Sequence, residues 1–226
     1  MTICVSNVGY KTKGGHLTSP DTQTNWNGIT GRIELIGYKN AHAENVMLWC
    51  DIHNKTVRVT ANITGGKSGK AVISAESFNS ERSHTPEVQS FEYTNGKLDA
   101  LYKMGDDCLL WSEHEPNLYK LKIDIDGDVS EHIIGMREFR TEGGKFTING
   151  EKTFLRGKHD GMIFPQTAFA PTDLEEWLRI MKISKSYGMN HYRYHTCCPP
   201  EAAFVAADML GIYMEPQLPF WGTITE

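Results

Sequence analysis

The sequence predicts a multi-domain chain: an all-β sandwich over about residues 40–138, followed by the first β/α units of an α/β sheet or barrel. Three observations lead there. Before residue 140, short alternating runs recur between turn residues and no helical period is sustained. After it, two helical patterns alternate with strand patterns. At 226 residues, the chain is long enough for one to three domains, each burying its own core.

The sandwich elements run in order. Val46–Ile52 (VMLWCDI), Thr56–Ile63 (TVRVTANI), Ala71–Ser74, Val88–Tyr93, Leu98–Met104 and Leu118–Ile125 (LYKLKIDI) suit strands, with Trp49 and Trp111 read as core. Breakers at Gly65-Gly66, Asn95-Gly96 and Asp126-Gly127 separate them. Short strands spaced 8–12 residues apart argue for a sandwich. FTINGEKTFLRG then reads as a hairpin, with an Asn149-Gly150 turn between Phe146/Ile148 and Phe154/Leu155.

The helical period follows. In TDLEEWLRIMKISKSYG, Thr172 and Glu175 form a capping box. Leu174, Trp177, Leu178 and Met181 make an apolar stripe at i, i+3, i+4 and i+7, and Gly188 ends the helix. MNHYRYH is the next strand. Pro199-Pro200 opens the helix EAAFVAADML, Gly211 closes it, and IYM starts another strand. Strand–helix–strand order implies parallel pairing through right-handed crossovers.

Composition excludes several classes. Hydrophobic content of 39% and charged content of 23% are ordinary for a globular protein, and a net charge of −5 offers no basic excess for nucleic acid. No apolar run approaches the ~20 residues of a membrane span, and no cleavable apolar segment follows Met1. Five cysteines (Cys4, Cys50, Cys108, Cys197, Cys198) lack metal-ligand spacing and read as buried, reduced thiols, so neither metal nor cofactor is expected.

Certain stretches form an ordered series: NWNGITGRIEL (25–35), LWSEHEPNLYKLKI (110–123), GMREF (135–139), FTINGEKTFLRG (146–157), YGMNHYRYH (187–195) and ADMLGIYMEPQLP (207–219). The series resembles the family 2 glycoside hydrolases, the group of β-galactosidases, β-glucuronidases and β-mannosidases. The resemblance implies a remnant of a sugar-binding jelly roll over 1–38, an immunoglobulin-like sandwich over 39–139, and the first β/α units of a TIM barrel over 140–226. A complete barrel needs ~250 residues and a jelly roll ~8 strands, so the chain is expected to be short at both ends relative to the family.

The resemblance also assigns site residues. Arg193, at the strand's C-terminal end, matches the family arginine that lines the terminal-sugar pocket; the alternative is pairing with a structural carboxylate. His195 follows two residues later, where the common pattern has its histidine three later. His159 and Asp160, placed just after FLRG, could bind vicinal hydroxyls, or Asp160 could cap the following turn. His191 shares a face with Arg193 by period two. Glu215 stands two residues before Gln217, the position where relatives tend to carry a glutamate. Phe220 and Trp221 suit stacking on a sugar ring or ordinary packing. The family's acid/base and nucleophile follow the fourth and seventh barrel strands, so no catalytic residue is assigned within this sequence.

Two functions follow. One is part of an exo-acting, retaining β-glycosidase acting on a carbohydrate substrate, with a neutral sugar, galactose first. The other is a non-catalytic β-sandwich module for binding or assembly with an incomplete α/β unit. An open parallel edge also predicts association into a homo-oligomer.

Overall fold

The computed structural model describes residues 2–6, 29 and 31–218. Among these, the chain divides into two compact units: Leu35–Phe154, and a second containing Leu155 onward together with the residues up to Glu34.

The first unit is built from β1 (His42–Asp51), β2 (Thr56–Thr64), β3 (Ser68–Ser77), β4 (Gln89–Thr94), β5 (Lys97–Lys103), β6 (Tyr119–Ile125) and β7 (Asp128–Ile134). All neighbours pair antiparallel, in the order β1-β2-β5-β4-β3-β6-β7. β4 and β5 meet through one residue pair, Thr94 with Lys97, so β1-β2-β5 and β4-β3-β6-β7 behave as two layers joined at that corner. Period-two alternation fills the space between them. Val57, Val59, Ala61 and Ile63 of β2, Ala71, Ile73 and Ala75 of β3, and Leu121, Ile123 and Ile125 of β6 are all buried in one cluster. Asn95-Gly96 and Asp126-Gly127 carry positive φ at both positions, as the two-residue turns of right-twisted hairpins require.

β7 was not anticipated. Its burial alternates between half-buried and exposed until Ile134, and among the described residues its one strand partner is β6, so as an edge strand it shows little apolar pattern. Trp49 also departs from expectation. It is 47% exposed on the outward face of β1, with the Arg58 guanidinium 5.7 Å from its ring centroid. Trp111 is buried as expected. Near the start of β6, the Tyr119 hydroxyl accepts from the Leu109 backbone N–H at 2.7 Å, a corner device of sandwich domains.

β8 (Phe139–Glu142), β9 (Lys145–Ile148) and β10 (Glu151–Thr153) form a small antiparallel sheet, with Asn149-Gly150 turning between β9 and β10. The Asn149 side chain donates to the Trp111 carbonyl at 2.9 Å and accepts from the Glu138 N–H at 2.9 Å. The expected hairpin therefore exists, and it belongs to the β-rich unit.

The second unit contains β11 (Gly157–Asp160), α1 (Leu174–Ser186), β12 (His191–Tyr194), α2 (Glu201–Leu210) and β13 (Tyr213–Glu215). Both strand pairs are parallel, in the order β11-β12-β13. Trp177 and Met181 of α1 and Ala203, Ala206 and Ala207 of α2 pack around Tyr192 and Tyr194. α1 starts one residue later than the capping box placed it. Asp173 is the N-cap and accepts from the Glu176 N–H at 2.9 Å, since an aspartate there competes successfully with Thr172. At the other end, Gly188 (φ +80°) donates to the Lys185 carbonyl and Met189 to that of Ser184, a Schellman closure. Among the five cysteines, Cys197 is buried, while Cys4 and Cys198 are exposed, against the expectation of buried thiols throughout.

Candidate functional site

Strand register assembles the site. β11 extends through GKHD, so His159 and Asp160 lie within the strand and not after it, as the sequence had suggested. His159 pairs with Arg193, and Arg193 with Glu215, which sets these three side chains in a row across the sheet. One step earlier, Gly157, His191 and Tyr213 form a second row on the same face. The opposite face carries Tyr192 and Tyr194 into the helices, so the polar rows occupy the side the helices leave uncovered.

The side chains in the first row touch. An Arg193 Nη1 lies 3.4 Å from His159 Nδ1, and Arg193 Nε lies 3.5 Å from Glu215 Oε1. The other Glu215 oxygen is 3.5 Å from His191 Nε2. Burial lowers the His191 pKa, with Glu215 acting in the opposite sense. Its ring leaves no room at Gly157, where a Cβ would come within 2.3 Å of His191 Nδ1. Arg193 and Glu215 keep 37% and 49% of their side-chain surface exposed, so the pair remains open to a ligand.

His195 joins this group. Its ring centroid is 5.0 Å from that of His159, and its backbone N–H donates to the Asp160 carbonyl at 2.8 Å, carrying the β11–β12 pairing one residue further. Asp160 does not join it. Alternation turns its side chain to the face of Lys158, with which it pairs at 3.0 Å, and its other oxygen accepts from the Met162 N–H at 2.7 Å. Trp221, with Phe220, lies outside the described residues.

Two contributors were not among the candidates. Gln217 accepts from the Thr196 N–H at 2.9 Å and lies 3.5 Å from Arg193 Nη2 and 3.3 Å from Glu215 Oε1. The only signal in the sequence was the resemblance, which implies a glutamate at this position. Asn190 is buried. Its side chain accepts from the Arg156 N–H at 2.7 Å, and its carbonyl accepts from the Tyr213 N–H at 2.8 Å, tying the approaches to β11 and β13 to the start of β12. Nothing in the local sequence distinguishes such an asparagine from a turn residue. Among the described residues, no group of three or more His, Cys, Asp or Glu side chains is arranged to hold a metal ion.

A row of imidazole, guanidinium and carboxylate on a parallel sheet can donate to and accept from adjacent hydroxyl groups. Comparison with known proteins points the same way, to glycoside hydrolases. Residues 41–137 match the model described as Glycosyl hydrolases family 2. A β-galactosidase of Leuconostoc mesenteroides is 22% identical over 218 residues, covering 89% of this chain and 21% of that protein. A β-galactosidase of Thermoanaerobacterium thermosulfurigenes is 29% identical over 167 residues, covering 69% of this chain and 21% of its own length. Among solved structures, a Bacteroides uniformis β-glucuronidase superposes with a TM-score of 0.59 at 25% identity, covering 81% of this chain and 23% of that one. These matches make the chain similar to the glycoside hydrolases of family 2, most directly over residues 41–137. It spans about a fifth of the length of the curated relatives it matches.

Proposed function

We propose that this chain contributes the sugar-holding side of an exo-acting, retaining β-glycosidase of β-galactosidase type. The observation that carries the reading is the row His159–Arg193–Glu215 on the helix-free face of the parallel strands. In this reading, the β-rich unit is an immunoglobulin-like sandwich with its appended hairpin, and β11–β13 with α1 and α2 open a TIM barrel whose strand ends hold the terminal sugar. Arg193 donates to sugar hydroxyls through its fixed fork, while His159, His195 and Glu215 complete the hydrogen bonds.

Charge supports a neutral sugar. Arg193 is already paired with Glu215, and Lys158 is turned to the other face against Asp160. A uronic acid would need an uncommitted cation to meet its carboxylate. The same bookkeeping supports a division of labour in catalysis. Of the six strand positions on this face, Gly157, His159, His191, Arg193, Tyr213 and Glu215, one is a carboxylate. Retaining hydrolysis needs two, about 5–5.5 Å apart. The resemblance implies that the acid/base and nucleophile follow later barrel strands, and in this reading the strands described here hold a sugar without cleaving it.

The test is turnover of chromogenic glycosides. In a protein carrying this chain together with the remaining barrel strands, β-galactoside is expected to be the best substrate. Arg193→Ala is expected to lower kcat/KM by about 10²-fold, as when an orienting contact is lost. Preference for β-glucuronide, or a silent Arg193→Ala, overturns the assignment.

A further inference from the structure

We infer that Gln217 is the positioning residue of this site, an amide clamp that fixes both the Arg193 guanidinium and the corner that follows β12. The proposal deepens the sugar-holding reading and rests on it for its functional meaning, though the clamp itself can be measured without any sugar.

The geometry fixes the amide's orientation. The Thr196 backbone N–H and Arg193 Nη2 are both donors, and both face Gln217 Oε1, at 2.9 and 3.5 Å. The Nε2 end is thereby turned to Glu215 Oε1 at 3.3 Å, where it can donate. A flipped amide would set its NH₂ against two donors and its oxygen against a carboxylate. Gln217 is held in turn by its own backbone, whose N–H donates to the Cys197 carbonyl at 3.0 Å. Two bonds, one from the side chain and one from the main chain, thus join the segment after β13 to residues 196 and 197.

That corner needs fixing. Thr196 is a β-branched residue at φ +52°, a backbone region such side chains avoid, and it is buried. It directly follows His195, whose ring lies beside His159. Gln217 therefore governs three things together: the corner that aims His195, the reach of Arg193, and the Glu215 oxygen nearest Arg193. A glutamate at 217 could still accept from Thr196 and Arg193, but it could not donate to Glu215 and would set a second carboxylate beside it. The amide keeps the cluster at one cation and one anion. An amide at this position lets Arg193 and Glu215 face a neutral ligand as a balanced pair.

The experiment compares the full chain with Gln217→Ala, Gln217→Asn and Gln217→Glu by NMR. It reads Thr196 amide exchange and the Arg193 side-chain Nε–H signal, with the β1–β7 amides as the control for folding. Gln217→Ala is expected to speed Thr196 exchange by at least about tenfold, the equivalent of one hydrogen bond. It is also expected to shift the Arg193 Nε–H signal toward that of a free guanidinium. Gln217→Asn, one methylene shorter, is expected to do the same, and Gln217→Glu is expected to keep Thr196 protected by supplying an acceptor of equal length. Unchanged Thr196 exchange and an unchanged Arg193 signal in the Ala variant overturn the clamp. So does loss of Thr196 protection in the Glu variant when its β1–β7 amides remain native. A clamp that behaves as expected in a chain that ignores added sugar leaves the clamp standing and removes the sugar-holding reading.

Discussion

Gly157 and His191 show how little freedom the site allows. A methyl group at 157 would meet the imidazole at 2.3 Å, and His191 cannot retreat without leaving Glu215. Gly157→Ala is expected to cost about 1–3 kcal/mol, read as a lowered urea midpoint, and to displace the His191 ring signals. A variant as stable as the parent with unmoved His191 resonances would mean the ring is not seated there. The histidines also set a pH dependence. Burial lowers the pKa of His84, His132 and His191 below the ordinary 6.5. The folded chain then binds fewer protons than the unfolded one. Stability is full above about pH 6.5 and is lost as pH falls through the depressed folded values. His84 Nδ1 lies 2.7 Å from the Tyr119 hydroxyl, which already accepts from Leu109, so the hydroxyl proton is directed to a neutral imidazole. The thermal midpoint should fall between pH 7.5 and 5.5, and His84→Gln should flatten part of that fall. A pH-independent midpoint contradicts this.

Single residues also show where the sequence stopped being legible. Arg193 and His159 could be picked out because a polar residue near a parallel strand's end has few structural reasons to be there. Asp160 was grouped with them because the strand was ended at Gly157 and in fact runs to Asp160, where a one-residue alternation sends its carboxylate to the opposite face. Gln217 and Asn190 act through backbone groups far away in sequence, and no local pattern encodes such partners.

Elements were legible in proportion to the strength of their period. β6 alternates between buried and half-buried residues and lies within the predicted run Leu118–Ile125; β7, an edge strand, shows too little apolar contrast to be read. α1 was visible from its stripe, yet its first residue was not, because Thr172 and Asp173 are both competent caps and only the folded chain chooses. That choice is testable. Asp173→Ala should destabilise the chain by about 1 kcal/mol, while Thr172→Ala should change it little. Equal effects would restore the capping box one residue earlier. The turn at Gly188 is a parallel case: at φ +80°, Gly188→Ala should cost about 1 kcal/mol in the same assay.

At the scale of the whole molecule, the strand–helix unit leaves a larger share of its strands at a sheet edge than the β-rich unit does. Among the described residues, β11 and β13 each have one strand partner, β12, leaving parallel edges open. Limited proteolysis should cut within residues 155–218 before it cuts within 42–134, unless self-association covers those edges, in which case protection should rise with protein concentration. Uniform resistance in a dilute monomer would contradict this. The 226-residue chain should also leave chromogenic β-galactoside, β-glucuronide and β-mannoside at the level of a buffer blank, since the one carboxylate among the described strand positions of the site face cannot serve as both acid and nucleophile.

The central claim is that the His159–Arg193–Glu215 row holds a neutral sugar. It is tested most directly by titrating the isotope-labelled chain with galactose and, separately, with glucuronate. Galactose is expected to move the Arg193 side-chain and His159 ring signals along one saturable curve, with a Kd on the order of 10 mM for so partial a site, and Arg193→Ala should abolish the response. Glucuronate should act more weakly. Stronger binding of glucuronate, or shifts confined to residues away from Arg193, would contradict the account.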